Sequence, residues 1–390
     1  MFEHLRQQLR RADWVYVILI LILLVVNLVI LYSASNNLIS GAPFYYLKKQ
    51  ITWIVLGGVA FFVMAIFDYH HFSKLTRLLY GFIVIALAGV LLMPEKKGAH
   101  RWYDLGFMDF QPSELAKIIL VITFAYFLSN WQEKINRPNN LIKSFFLMGI
   151  PICLILIEPD LGTTIICTFI FFVMLYVGGL KRRTILILLL ILVICVVALF
   201  GFLYNVTNGF NNKINDSDIP SWMPLQSYQL TRLIIFINPY MDPLDSGYHM
   251  IQSQVAIGSG GFLGKGLGKG TQVQGDFLPE HHTDFIFSVV GEETGFVGVV
   301  CLLALYLALI LRCLKIAAAA KEKFGSLICI GITAILFFQV FINVGMTIGL
   351  MPITGITMPL LSYGGSSMLM NLISLGIILS VDIHSEKGIF

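Results

Sequence analysis

Apolar runs long enough to cross a bilayer recur along the entire chain, and this single pattern rules out most folds. A bilayer's hydrocarbon core needs roughly 20 apolar residues per helix, with every backbone polar group bonded within the segment. Ten segments qualify, near residues 15–32, 51–67, 78–93, 112–128, 144–158, 162–180, 184–204, 284–311, 326–350 and 359–381. Only 12% of the 390 residues are charged and 57% are hydrophobic, whereas soluble domains carry about 25% charged residues. The expected fold is an all-α polytopic membrane protein of about ten transmembrane helices. It forms a single domain over 1–390, with one large loop, 205–283, between helices seven and eight. The fifth segment is short, and Glu158-Pro159-Asp160 reads as a tight turn into the sixth, because proline disfavours helix in the residue before it.

Orientation follows from the basic residues, which favour the cytoplasmic side of short connections. With a cytoplasmic N-terminus, sixteen of the 26 Lys and Arg residues fall inside, among them Arg6, Arg10, Arg11, Lys181, Arg182, Arg183 and Lys387. Both termini are then cytoplasmic, and the long loop is extracytoplasmic. The first helix follows a charged start with no small-residue cleavage pattern, so it reads as retained.

The remaining composition narrows the function. A net charge of +4 in scattered clusters offers no basic stripe for nucleic acid. The six cysteines lie in or beside apolar runs without C-x-x-C spacing, which indicates neither a disulfide framework nor a zinc site.

Three regions hold polar residues that an apolar chain has reason to avoid. The first runs from Gly98 to Lys117 and carries Arg101, Trp102, Asp104 and Asp109 at the expected outer surface. These side chains suit an interfacial aromatic belt as well as a substrate site. Pro112 fits a helix's first turn, and Glu114 and Lys117, three apart, share one face of that helix. Charges at the centre of a span cost about 2.5–3.5 kcal/mol each, so they pair with each other or line a polar cavity.

The second region is the long loop. SYQLTRLIIFINP reads as an amphipathic surface helix bearing Arg232. The glycines from Gly258 to Gly270 fit neither phosphate-loop register, and suit tight turns or close approach to a lipid headgroup. Glu280, His281, His282 and Asp284 cluster at the entry to helix eight without the spacing of a metal site. Asp284 directly precedes an apolar run. A carboxylate there is either a dipole-favoured helix start or, partly desolvated, a general base. Glu292 and Glu293 imply a polar face on the helix that follows.

The third region is GMTIGLMPITGITMPLLSYGGSS, whose prolines, glycines and hydroxyls imply broken helix at membrane depth or close packing by small residues.

Taken together, GAHRWYDLGFMDFQPSELAK, EPDLGTT, SYQLTRLIIFINP, GYHMIQSQVAIGSGG, FLPEHHTDFIFSVVGEETG and MPITGITMPLLSYGGSS resemble the SEDS family (shape, elongation, division and sporulation) over essentially the whole chain. The chain looks more like the RodA-type elongation branch than the FtsW-type division branch. It has Thr354 where division members typically carry lysine, and a shorter N-terminus. Thr357 stands where many relatives have proline.

The resemblance implies a peptidoglycan glycosyltransferase of the inner membrane, active on its outer face, that polymerises lipid II beside a class B penicillin-binding protein. Asp284 matches the family's essential outer-face aspartate and Trp102 its loop tryptophan, while Glu114 and Lys117 match its intramembrane charged pair. The reaction would join lipid II to a glycan linked to undecaprenyl pyrophosphate. The leaving pyrophosphate calls for facing cations, with Arg101, Lys117 and Arg232 as candidates, alone or with a divalent ion (Mg or Mn). A flippase for the same precursor and a non-catalytic scaffold are the rival classes. A flippase would share the intramembrane charges but would have no need of an outer-loop carboxylate.

Overall fold

A computed structural model describes residues 12–35, 44–94, 101–104, 106, 109–220, 223, 225–243, 246–275 and 277–385. Ten apolar helices form the bundle: α1 Trp14–Ser35, α2 Tyr45–Ile66, α3 His70–Val90, α4 Pro112–Trp131, α5 Pro138–Ile157, α6 Leu161–Val177, α7 Arg182–Val206, α11 Ile286–Ala319, α12 Lys323–Thr347 and α13 Gly365–His384. Nine are long and apolar enough to cross a membrane, and the tenth, α6, is a 17-residue apolar helix. Between α7 and α11 lie α8 Ser227–Ile237, α9 Ser246–Ser259 and the single turn α10 Thr271–Gln274. A two-residue hairpin, β1 Tyr103–Asp104 and β2 Asp109–Phe110, pairs Tyr103 with Phe110 ahead of α4.

The helix ends follow local chemistry. Contrary to the sequence expectation, α5 is not short. Its 20 residues begin at Pro138, because proline suits the first helical turn, and they carry Pro151 within the helix. α13 starts at Gly365, six residues later than expected, because residues 348–364 are not helical. Gly355, at φ +71, adopts a left-handed backbone there that other residues avoid.

Non-helical backbone at membrane depth persists only where protein side chains satisfy it. Asn343 donates to the carbonyls of Ile356 (2.7 Å) and Asp284 (2.8 Å), joining the broken segment to the entry of α11. Asn27 donates to Leu361 O, Tyr306 to Pro359 O (2.5 Å), and Gln50 to Ser362 O (3.3 Å). The segment is therefore tied to α1, α2, α11 and α12. Helices α4, α12 and α13 are buried over most of their length, whereas α7 stands nearly clear of the bundle.

The glycine-rich stretch serves the chain's own backbone. α11 breaks at Gly295 (φ +64), and the loop fits into the break. The amides of Lys265 and Gly266 donate to Glu292 O (3.0 Å) and Glu293 O (2.9 Å), and that of Phe296 donates to Gly261 O (3.0 Å). A Cβ at Gly264 would lie 2.2 Å from Glu293 O, and one at Gly260 2.0 Å from Gly291 O. The expected tight turns and close backbone approach are both present, and the backbone approached is that of α11. Glu292 and Glu293 are correspondingly buried. Glu292 accepts from Lys265 Nζ (2.7 Å), Thr271 Oγ1 (3.1 Å) and the Gln272 amide (3.0 Å), and Glu293 accepts from Ser33 Oγ (2.6 Å).

The candidate active site

One cavity of about 1100 Å³ brings together all six residues singled out from the sequence: Arg101, Trp102, Glu114, Lys117, Arg232 and Asp284. They come from four places in the chain: the approach to the β1–β2 hairpin, the first turns of α4, α8, and the residues before α11.

Asp284 lies two residues ahead of α11, whose N-cap position is Phe285, without a side-chain cap bond. Its carboxylate borders Gly355: a Cβ built on that glycine would lie 3.4 Å from Asp284 Oδ2 and 3.6 Å from Arg232 Nη1. Arg232 projects from the amphipathic helix α8, donates to Ile353 O (3.2 Å) and stacks 4.4 Å from the Tyr228 ring centre. Its Nε is buried without a hydrogen-bond partner. Burial lowers the pKa of the guanidinium, with Tyr228 and Asp284 opposing the shift. Arginine still remains charged in proteins. The charges of Asp284, Arg101 and Asp160 all reach it.

Glu114 and Lys117 realise both readings of the sequence. Lys117 Nζ donates to Glu114 Oε1 at 2.7 Å, and both residues line the cavity. Arg101 is anchored as well: its Nε donates to Glu158 O at 2.9 Å, and Nη2 donates to Pro159 O. The arginine thereby holds the hairpin region to the α5–α6 turn, which is as tight as Glu158-Pro159-Asp160 predicted.

Sequence reasoning passed over Asp160, which organises this wall. Its Oδ1 accepts the Thr163 amide (3.0 Å) to cap α6, and its Oδ2 accepts Gln111 Nε2 (3.0 Å), Ser113 Oγ (3.1 Å) and Thr163 Oγ1 (2.9 Å). The visible signal was an Asp three residues before a Thr at a helix start, the ordinary N-cap pattern. Glu158 beside it is fully buried with neither carboxylate oxygen hydrogen-bonded. Burial, reinforced by Asp160 and opposed by Arg101, pushes its pKa up to about 9, so it is neutral at pH 7. Lys49 and Trp53 of α2, Tyr363, and the start of α13 also line the cavity, and none of them was singled out from the sequence as a site residue.

The acidic and histidine cluster before α11 divides. Asp284 and Glu280 line the cavity. His281 is buried between the carbonyls of Leu278 (2.5 Å) and Ala34 (2.8 Å), while His282 packs against the rings of Tyr46 and Tyr363. Among the described residues, no three His, Cys, Asp or Glu side chains converge to hold a metal ion.

A half-buried carboxylate beside a fixed guanidinium, in a cavity walled by apolar helices, can take a proton from a bound hydroxyl and hold an anionic group next to it. The family model described as "Cell cycle protein" (FtsW, RodA, SpoVE) matches residues 13–387, and the chain belongs to that family. It is 37% identical to the peptidoglycan glycosyltransferase MrdB of Escherichia coli strain K12, over 96% of this chain and 94% of that protein. It is 34% identical to the peptidoglycan glycosyltransferase RodA of Treponema pallidum, covering 95% and 97%. Among solved structures, it matches a chain of a peptidoglycan synthase complex that coordinates polymerization and crosslinking (TM-score 0.77, 34% identity, covering 95% and 97%). It also matches the rod shape determining protein RodA of Thermus thermophilus (TM-score 0.68, 31% identity, covering 95% and 96%).

Proposed function

We propose that the chain is a RodA-type peptidoglycan glycosyltransferase that polymerises lipid II, with Asp284 as its general base. The observation that carries this reading is the single cavity in which the Asp284 carboxylate meets Arg232 and the Lys117–Glu114 pair. Asp284 takes the proton from the 4-hydroxyl of the acceptor's GlcNAc. That oxygen attacks the donor's anomeric carbon with inversion, and undecaprenyl pyrophosphate leaves. General-base assistance of this kind contributes about 10²–10⁴-fold. Arg232 and Lys117 face the leaving pyrophosphate, with buried charge stronger than the same charge in water. Arg101 holds the wall through two carbonyls and presents its remaining donors.

The basic residues of the short connections support a cytoplasmic N-terminus, which puts the cavity on the outer face of the inner membrane. Of these residues, Arg6, Arg10, Arg11, Lys96, Lys97 and Lys387 lie outside the described residues. A class B penicillin-binding protein is the partner that would crosslink the product, in keeping with the synthase complex that the chain resembles. Thr354 favours elongation over division within the family.

The test is glycan synthesis from purified lipid II by the chain with a transpeptidase-dead partner. Polymer that disappears with Asp284→Ala supports the reading. Polymer that persists moves catalysis elsewhere and revives the flippase or scaffold.

A further inference from the structure

The reaction proposed above joins two molecules that each carry a pyrophosphate, yet the cations assigned so far face only the one that leaves. The same cavity is also lined by the start of α13. Gly364, Gly365, Ser366 and Ser367 all line the cavity there, together with Lys49 of α2.

This helix start is unusually free to bind an anion. The first N–H groups of any helix lack intrahelical partners, and they carry partial positive charge. Here Gly364 is the N-cap, so no side chain caps the helix, and the first turn contains no acidic residue. The first amide of this turn to find a backbone acceptor is that of Met368, which donates to Gly364 O at 2.9 Å.

The second, independent sign is Ser366. It is 7% exposed, it lines the cavity, and its hydroxyl has no hydrogen-bond partner, whereas the Ser367 hydroxyl is engaged by Thr357 (3.0 Å) and Asn371 (3.2 Å). A buried unpaired hydroxyl costs free energy that a ligand acceptor would recover. Lys49 adds the formal cation; its ammonium lies 4.5 Å from the Tyr45 ring centre, within electrostatic reach of Tyr363, the residue before the N-cap. At Gly365 a Cβ would lie 2.3 Å from the Trp53 indole, so only glycine lets this turn sit against the cavity wall.

We infer that the N-terminus of α13, with the Ser366 hydroxyl and Lys49, is a second pyrophosphate subsite, and that it holds the acceptor's pyrophosphate. This rests on the glycosyltransferase reading. The division of labour follows from charge. The leaving group gains negative charge in the transition state and needs the cations Arg232 and Lys117. The acceptor's pyrophosphate keeps a constant charge, for which amides, a hydroxyl and one lysine suffice.

Two measurements on the detergent-solubilised full chain test this. In glycan synthesis from lipid II, Ser366→Asp places a carboxylate where the phosphate would sit while providing the helix with the acidic first turn it lacks, so the fold is retained. It is expected to raise KM for lipid II about tenfold and to lower turnover at saturation far less; Ser366→Ala gives a smaller rise in the same direction. Calorimetric titration with inorganic pyrophosphate is expected to find two sites in the wild type and one in Ser366→Asp. The remaining site should disappear with Arg232→Ala.

Unchanged KM and unchanged pyrophosphate stoichiometry in Ser366→Asp overturn the subsite while leaving the polymerase reading intact. Two pyrophosphate sites, one sensitive to Ser366→Asp, in a wild-type chain that makes no glycan even with the transpeptidase-dead partner would keep the subsite and overturn the glycosyltransferase.

Discussion

Asp284 and Arg232 confront each other across Gly355, so that the place a methyl group would occupy lies within 4 Å of both the carboxylate and the guanidinium. Neither charge is close to the other in sequence. Each is held from behind: the Asp284 backbone carbonyl by Asn343, and the guanidinium by Ile353 O and the Tyr228 ring. A base and a cation fixed on separate supports keep their spacing when substrate enters.

Replacing Asp284 with asparagine keeps the side chain's size and removes its basicity. Polymerisation from lipid II should fall about 10²–10⁴-fold. Thermal unfolding in detergent should change far less than activity, because the Asp284 backbone carbonyl, bonded by Asn343, still ties this segment to α12.

Gly355→Ala tests the spacing itself. The left-handed backbone costs an L-residue about 1–2 kcal/mol, and the new methyl group would touch Asp284 Oδ2 at 3.4 Å. Melting should drop modestly while polymerisation falls up to about 10²-fold, since small displacements of reacting groups are costly. An activity loss no larger than the stability loss predicts would count against Gly355 as the spacer.

Glu292→Ala removes the acceptor that binds Lys265, Thr271 and the Gln272 amide. Breaking a buried pair by deleting one partner costs about 3–5 kcal/mol. The glycine loop should then come away from α11 at Gly295, seen as protease cleavage within 258–270. Glu292→Gln, which keeps an acceptor oxygen, should be less affected.

Glu158 sets a dependence on pH. Its folded pKa of about 9 lies above the ordinary carboxylate value, so the folded state holds the proton more tightly than the unfolded one. Its stabilising contribution is complete below the unfolded pKa, declines as pH rises from about 4.5, and is gone once pH passes about 9. The melting temperature should fall with alkalinity over that window, and Glu158→Gln should flatten that part of the curve.

The bundle was legible because membrane spans announce themselves by length and apolarity, and the amphipathic period of 227–237 marked α8. Asp284, Arg232 and Lys117 were legible because charge in or beside an apolar run has few structural uses. Asp160, Lys49 and the start of α13 were not. A capping aspartate, a lysine near a helix end and a Gly-Gly-Ser-Ser turn are ordinary in one dimension, and only the folding of 348–364 brings them to one cavity. The glycine loop was legible as tight turns and close backbone approach, found at Gly261, Gly264, Gly266 and Gly268, but its contact with the break at Gly295 has no local signature.

Because the Ile353 carbonyl that holds Arg232 and the Gly355 that borders Asp284 both follow α12, a nascent chain halted after α11 would lack the anchor that fixes the guanidinium beside the carboxylate. The wall from the last helix would be missing too. The pairing of carboxylate and guanidinium is thus an arrangement that only the residues following α12 complete.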